Sequence, residues 1–374
     1  ATKMQFQIKR DTLLKSLSIA HNIIERKNTI PILANVLLET KNNKLNITAT
    51  DLDIIFQDEI SDLKIDQEGS TTTSATVLYD LLRKLPSNLD ILFDLQSENK
   101  LKISAKNSKF NLLCLPVDNF PNFSDNFKNS SLNLDSKKFL SLLNKTKISM
   151  SNDDTRHYLN GIYINVTTSN KGSYLTLVAT DTHRLSSSSM PIGNVENFKP
   201  FILPKKTVFQ LCNLLQDSGE QLSLSVSDTK IQFKIGTSKI VSKVIDGKFP
   251  DYEKVVPKNN TKTLNVKAKD FIQSIERVIT VSIDRKEGVK ITLDKDSIQF
   301  FVNSSSSGEG KETLPANHNA ENLTISFNSR YLLDIASEIE DEKIIMNLND
   351  SVSPVLIQDN SDKHSYYVIM PMKI

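Results

Sequence analysis

Apolar residues recur along this chain with two periods. Leu45, Ile47 and Ala49 alternate with other residues, as do Leu101, Ile103 and Ala105, then Leu222, Leu224 and Val226, then Ile231, Phe233 and Ile235. A period of two puts these side chains on one face of an extended chain, so the stretches predict strands with one buried face. Elsewhere apolar positions fall at i, i+3, i+4 and i+7: Leu78, Leu81, Leu82, Leu85; Val208, Leu211, Cys212, Leu215; Leu332, Ile335, Ala336, Ile339. That spacing predicts helices. Alternation also runs directly into a helical pattern three times, at Phe6 to Leu14, Leu132 to Leu140 and Leu264 to Ile272. The repeat length of about 130 residues is that of a domain rather than of a solenoid unit. The pattern predicts an α+β chain of three similar domains, each with two helices laid on antiparallel sheet, in a curved, quasi-symmetric body.

Composition agrees with two or three cores. The 374 residues are 38% hydrophobic and 24% charged, against a prior of roughly 100–200 residues per domain. Apolar runs such as Ile30 to Leu38 fall far short of the roughly 20 residues that span a bilayer, and the start lacks a signal-peptide core. Met4, after Ala1, Thr2 and Lys3, reads as the natural start. Cys114 and Cys212 sit among apolar neighbours and read as reduced core thiols, which places the chain in the cytosol.

Net charge is only +2, so bulk electrostatics does not hold nucleic acid here. The charge is unevenly placed, however. Asp51, Asp53, Asp58, Glu59, Asp62, Asp66 and Glu68 crowd a strand-rich stretch, whereas Lys137, Lys138, Lys145 and Lys147 share one predicted helix. Arg10, Lys15, Arg26, Lys27, Arg83, Lys84, Lys205, Lys206, Lys267, Lys269 and Arg277 lie on or beside others. Acid on sheets and base on helices offers one cationic face to phosphates.

Catalytic chemistry finds no support. Asp181, His183 and Ser186 lie close in sequence, but no G-x-S-x-G elbow frames the serine, and triad members converge from separated segments. Asp51 with Asp53, and Asp153 with Asp154, come with no phosphate loop and no His or Cys ligand set. Neither GxxxxGK[ST] nor GxGxxG occurs, so the chain reads as neither an ATPase nor a cofactor-binding enzyme.

Six segments, in order, carry a family resemblance: Thr29 to Asn35, Ala49 to Asp53, Arg156 to Gly161, Ala179 to Leu185, Asp246 to Tyr252 and Tyr367 to Ile374. Together they closely resemble the bacterial DNA polymerase III beta subunit, the sliding clamp, over essentially the whole chain. The resemblance implies a DNA clamp fold with domains at 1–128, 129–257 and 258–374, forming half of a closed ring. It further implies a head-to-tail homodimer with helices lining a hole around duplex DNA and no chemistry of its own. Weak, non-specific phosphate contacts suit a body that slides on any sequence, and tethering raises the effective concentration of a polymerase. The implied partners are the polymerase III alpha subunit, an ATP-driven clamp loader, and other polymerases and repair proteins that insert a short linear peptide.

Three sets of residues follow from the resemblance. The peptide cleft comprises Leu159, Thr180, Thr182, His183, Arg184, Leu185, Pro250, Lys254, Val255, Pro354, Val368, Met370, Pro371, Met372 and Lys373. Methionines there give an adaptable apolar surface, and the prolines stiff walls. Thr182 stands where the family has glycine and Lys254 where it has arginine, which narrows backbone freedom and removes a planar fork. DNA contacts fall to Arg10, Lys15, Lys27, Arg83, Asn152, Arg156, His157, Tyr158, Lys205 and Lys206. The dimer interface sets Lys100, Lys109, Phe110 and Leu112, with Lys102 and Lys106, against Thr280, Val281, Glu309 and Glu312 of the other subunit. The Ser-rich stretch Asn303 to Gly308 carries fewer acids than those lysines call for. The competing expectation is a monomeric peptide-binding or DNA-binding scaffold that does not close into a ring.

Overall fold

The computed structural model describes residues 3–25, 29–123, 127, 131–285 and 287–373. Among them are six α-helices, α1 (Arg10–Ile23), α2 (Ala75–Lys84), α3 (Ser136–Lys147), α4 (Lys205–Leu215), α5 (Ala268–Val278) and α6 (Ser329–Ala336), two per sequence repeat. Each is entered from a strand. Strands Gln5–Lys9, Ser131–Asp135 and Lys262–Lys267 run straight into α1, α3 and α5, as the sequence repeat predicts.

Local chemistry sets the helix ends. The Ser74 side chain accepts from the Val77 N–H at 3.2 Å and starts α2, while Asn328 accepts from the Arg330 and Tyr331 N–H groups and starts α6. Such caps are worth about 1 kcal/mol each. The apolar stripe of α5 (Phe271, Ile275, Val278) is fully covered by strands, and Phe271 meets Phe300 edge to face at 5.5 Å. In the first repeat Phe6 stacks on Phe93 at 4.7 Å. The helix expected through Ile339 stops at Ala336. The Ser337 hydroxyl donates to the Leu333 carbonyl at 2.7 Å and satisfies one of the groups that a helix end leaves open.

Contacts gather the chain into two compact units rather than three bodies. One unit comprises Ala1–Lys137 with Phe209–Val244, the other Lys138–Val208 with Ile245–Ile374. The first holds a run of thirteen hydrogen-bonded strands, and the second holds a nine-stranded and a four-stranded sheet. Strand pairing explains the division. Ser238–Lys243, from the middle repeat, pairs antiparallel with Ile54–Ile60 of the first, with Ser242 opposite Ile54. Within the second unit, Asp362–Ile369 pairs antiparallel with Arg184–Ile192, with Ile369 opposite Arg184. The middle and third repeats therefore each continue a sheet that the preceding repeat began.

Neither cysteine is in a disulfide; Cys114 is buried and Cys212 half-buried. No helix among the described residues is long and apolar enough to cross a membrane.

Candidate functional site

The turn from Thr180 to Arg184 is built by its own side chains. The Thr180 hydroxyl donates to the Arg184 carbonyl at 2.7 Å and accepts from the Thr182 N–H at 3.2 Å. One oxygen of Asp181 accepts from the N–H groups of both His183 and Arg184, each at 2.9 Å. Closing this loop forces Thr182 to φ +77°, a left-handed conformation that costs a side-chain-bearing residue about 1–2 kcal/mol. The first unit contains the same turn at Thr50 to Ile54. There Thr50 bonds the Ile54 carbonyl and the Leu52 N–H, Asp51 accepts from Asp53 and Ile54, and Leu52 sits at φ +80°.

Around the turn from Thr180 to Arg184 several of the expected cleft residues come together. Leu159, Leu185 and Val368 are buried in one apolar cluster with Val178, Ile202, Phe249 and Tyr252. Leu185 lies opposite Val368 across the sheet. The strand end then reaches the turn directly, because the Met370 N–H donates to the His183 carbonyl at 2.9 Å. Met370 and Met372 remain 39% and 36% exposed, large apolar groups presented beside a buried apolar base. Met372 is seated by its N–H on the Ser326 carbonyl at 2.7 Å. Gly288 lies beneath it: a Cβ there would stand 2.7 Å from the Met372 sulfur. Val255 is 52% exposed. Pro250, Lys254 and Lys373 are also exposed, and Lys254 faces Asp251 at 3.6 Å. Pro354 and Pro371 are half-buried, and the Pro354 carbonyl accepts from Asn260.

Sequence reasoning missed Tyr331 on α6, which looks like one more apolar helix position. Its ring lies 6.3 Å from that of His183, nearly parallel, and 4.3 Å beneath the Arg184 guanidinium. Burial pushes its phenol up. Arg184 itself is buried, with Nε donating to Asp181 and Nη1 donating to Asp334 at 2.7 Å.

The cationic set divides. Arg10 does not present its charge outward. Its guanidinium donates to the Leu82 and Arg83 carbonyls at the end of α2 and pairs with Asp11, the usual answer to open carbonyls at a helix C-terminus. Lys205 donates to the Ser151 carbonyl at 2.8 Å and to Asn152, and burial holds its ammonium below the usual lysine range. It braces the loop before Arg156. Tyr158 packs on the apolar cluster and so belongs to the cleft side. Lys145 is buried too, with its ammonium 2.5 Å from Asp362 and 3.1 Å from Glu340. Lys15 is exposed. Arg83 and Arg156 keep about half of their side chains exposed and pair with Asp80 at 2.7 Å and Asp153 at 3.1 Å. His157 is exposed, its Nε2 2.9 Å from the Asp246 carbonyl; Gly247 beside it, at φ +135°, lets the backbone pass Tyr158 where a Cβ would come within 3.0 Å. Lys27 lies outside the described residues.

Two strand edges carry the expected interface residues. Ser108–Leu115 is paired along its length with Lys100–Ala105, but on its other side only Leu115 and Cys114 meet Thr72 and Thr73. Gly308–Pro315 ends the four-stranded sheet. Lys100, Lys109, Thr280 and Glu309 are exposed, and Phe110 and Val281 half-buried. Leu112 points into its own core, whereas its neighbour Leu113 is 82% exposed. Glu312 is held by Arg277 and Ser274, and the guanidinium keeps its carboxyl below the usual range.

A buried apolar base with exposed methionines, set beside a turn closed by its own side chains, has the geometry of a docking surface. Family models for the N-terminal, central and C-terminal domains of the DNA polymerase III beta subunit match residues 4–124, 133–251 and 253–373. The beta sliding clamp of Caulobacter vibrioides is 35% identical over 373 residues, covering 99% of this chain and all of the relative. That of Escherichia coli K12 is 32% identical over 371 residues, again covering 99% and all. A solved Caulobacter crescentus clamp superposes with TM-score 0.95 at 35% identity, over 100% of this chain and 99% of its own. A Bartonella birtlesii clamp bound to griselimycin gives TM-score 0.95 at 36% identity, over 100% of both. The chain belongs to the DNA polymerase III beta-subunit family and is a sliding clamp, a processivity factor without catalytic activity of its own.

Proposed function

We propose that two copies of this chain close head to tail into a ring around duplex DNA and tether the polymerase III alpha subunit through the cleft beside Met370 and Met372. The same cleft receives the clamp loader, other polymerases and repair proteins, each by a short peptide with apolar anchors. The observation that carries the reading is the joining of two distant segments. The His183 carbonyl holds the Met370 N–H at 2.9 Å, which brings exposed methionines over the Leu159, Leu185 and Val368 base. Central apolar anchors of this kind dominate peptide binding.

The domain limits of this reading are 1–128, 129–257 and 258–374, and its compartment is the cytoplasm, where a replication factor of this family works. DNA is held by Lys15, Lys27, Arg83, Arg156, His157 and Lys206, with Asn152 and Lys205 shaping the loop between them. Near neutrality supports weak, salt-sensitive contacts in which topology supplies the retention. The open edges at Ser108–Leu115 and Gly308–Pro315 support closure by strand addition, with Leu113 as an apolar contact. Light scattering tests it: a dimer of about 84 kDa, twice the 42.1 kDa chain, is expected. Leu113→Asp should give the monomer. Loaded protein should persist on circular DNA and leave once the circle is cut. A stable monomer, or equal lifetimes on linear and circular DNA, refutes the ring.

A further inference from the structure

The charge of Arg184 is engaged within the chain before any peptide arrives. Its side chain is 9% exposed, Nε donates to Asp181 at 3.2 Å, and Nη1 donates to Asp334 at 2.7 Å. The guanidinium carbon lies 4.3 Å over the Tyr331 ring. Two carboxylates and an aromatic face thus surround one cation, and two of those three groups come from α6.

The first unit supplies an internal control. Its turn at Thr50 to Ile54 has the same hydrogen bonds and the same left-handed third residue, yet Ile54 stands where Arg184 would be. The turn therefore closes without an arginine, and the links to Asp334 and Tyr331 are not needed to form it. What they add is attachment of the turn to α6. That attachment fixes two things that the cleft uses: the His183 ring, set 6.3 Å from Tyr331, and the His183 carbonyl, which holds Met370.

We infer that Asp334 is a positioning residue for the docking cleft. Through Arg184 it fixes the Thr182–Arg184 turn against α6, and Arg184 serves the peptide as a strut rather than as a partner for the peptide's acidic groups. The inference rests on the cleft reading above. It assigns to α6 a share of binding strength that no direct contact would reveal.

The experiment uses the full chain and two synthetic peptides, a neutral one of Gln, Leu and Phe and the same peptide with one added Asp, titrated calorimetrically. Asp334→Asn should weaken both by the same factor, about tenfold, with the dimer intact and the chain still folded at the titration temperature. Arg184→Lys should produce a similar loss for both, and the double variant should be little worse than either single one, as expected for residues acting as one unit. Asp334→Glu should recover most of the affinity. Without peptide, the His183 ring proton resonances, which lie in the field of the Tyr331 ring, should move in Asp334→Asn. Selective loss of the acidic peptide in Arg184→Lys would show that Arg184 pairs with ligand and would overturn the inference. So would unchanged affinities in Asp334→Asn while the parent binds. A parent chain that takes up neither peptide would overturn the cleft reading itself, and the positioning role with it.

Discussion

Replacing Lys145 with methionine removes a buried charge and keeps most of the stem that packs around it. The Lys145 side chain is 7% exposed, and its ammonium lies 2.5 Å from Asp362 and 3.1 Å from Glu340. Asp362 is 19% exposed and accepts also from the Ser365 hydroxyl at 2.5 Å and the His364 N–H at 3.2 Å. Burial, the largest single influence, pushes the Asp362 carboxyl up, but the hydrogen bond and charge of Lys145 together with the Ser365 hydroxyl and the His364 N–H outweigh it and hold it below the usual range. Without Lys145 the carboxylate remains buried with two neutral donors, a loss of about 3–5 kcal/mol. Glu340 is 61% exposed, and its share is about 0–1 kcal/mol. For a body of this size each kcal/mol lowers the melting temperature by about 2–4 °C, so Lys145→Met should lower it by roughly 6–20 °C. Lys145→Met with Asp362→Asn should recover most of that, since no charge is left unpaired. Differential scanning calorimetry reads both variants. A carboxyl held below its unfolded value contributes stability that is present above the usual value of 3.8 and lost as pH falls through the folded one. The parent should thus show an acid-side loss that the double variant lacks. A shift under about 1 °C in the single variant, or no recovery in the double one, would refute the assignment of this pair as a buried tie.

Met372→Ala should weaken a neutral Gln, Leu and Phe peptide by about 2 kcal/mol, roughly 30-fold by calorimetry, while sparing the dimer; equal affinity would move the cleft elsewhere. Gly288→Ala should disturb the same binding from beneath, because the new Cβ meets the Met372 sulfur and the Phe327 carbonyl. Thr182→Gly should stabilise the second unit by about 0.5–1 kcal/mol, the relief of φ +77° less the added freedom of glycine in the unfolded chain. His318 is buried with both ring nitrogens unpaired, and burial holds its imidazole below its ordinary 6.5. The unfolded chain therefore binds more protons between the two values, and denaturation should show stability falling as pH drops below about 6.5, a slope that His318→Phe flattens.

The helices and inner strands were legible because their periodicity is strong. Leu101, Ile103 and Ala105 alternate cleanly, and the apolar positions of α4 fall at helical spacing. Leu112 and Leu113 were not separable in this way: two leucines in succession have no parity of their own, and only the register against Lys100–Ala105 turns the first inward. Arg10 and Lys145 read as part of a cationic helix face because their partners, the end of α2 and the Asp362 strand, lie far off in sequence. The family motifs point to the proposed cleft at Thr180 to Leu185 and at the terminal strand, but Tyr331 and Asp334 carry no mark except their place on α6. The three repeats are real in sequence, yet strand pairing across their boundaries makes two compact units of them.

That pairing has a consequence for how the chain is made. The strand Ile54–Ile60 carries Ile54, Ile55, Phe56 and Ile60, all buried in the finished unit, and its outer partner is Ser238–Lys243. On a ribosome the partner emerges roughly 180 residues later, a wait of roughly 10–40 s at about 5–20 residues per second. Through that interval the nascent N-terminal segment presents an unpaired apolar edge. Asp58, Glu59 and Asp62 lie on and beside that edge, and their like charges oppose the pairing of two growing chains there.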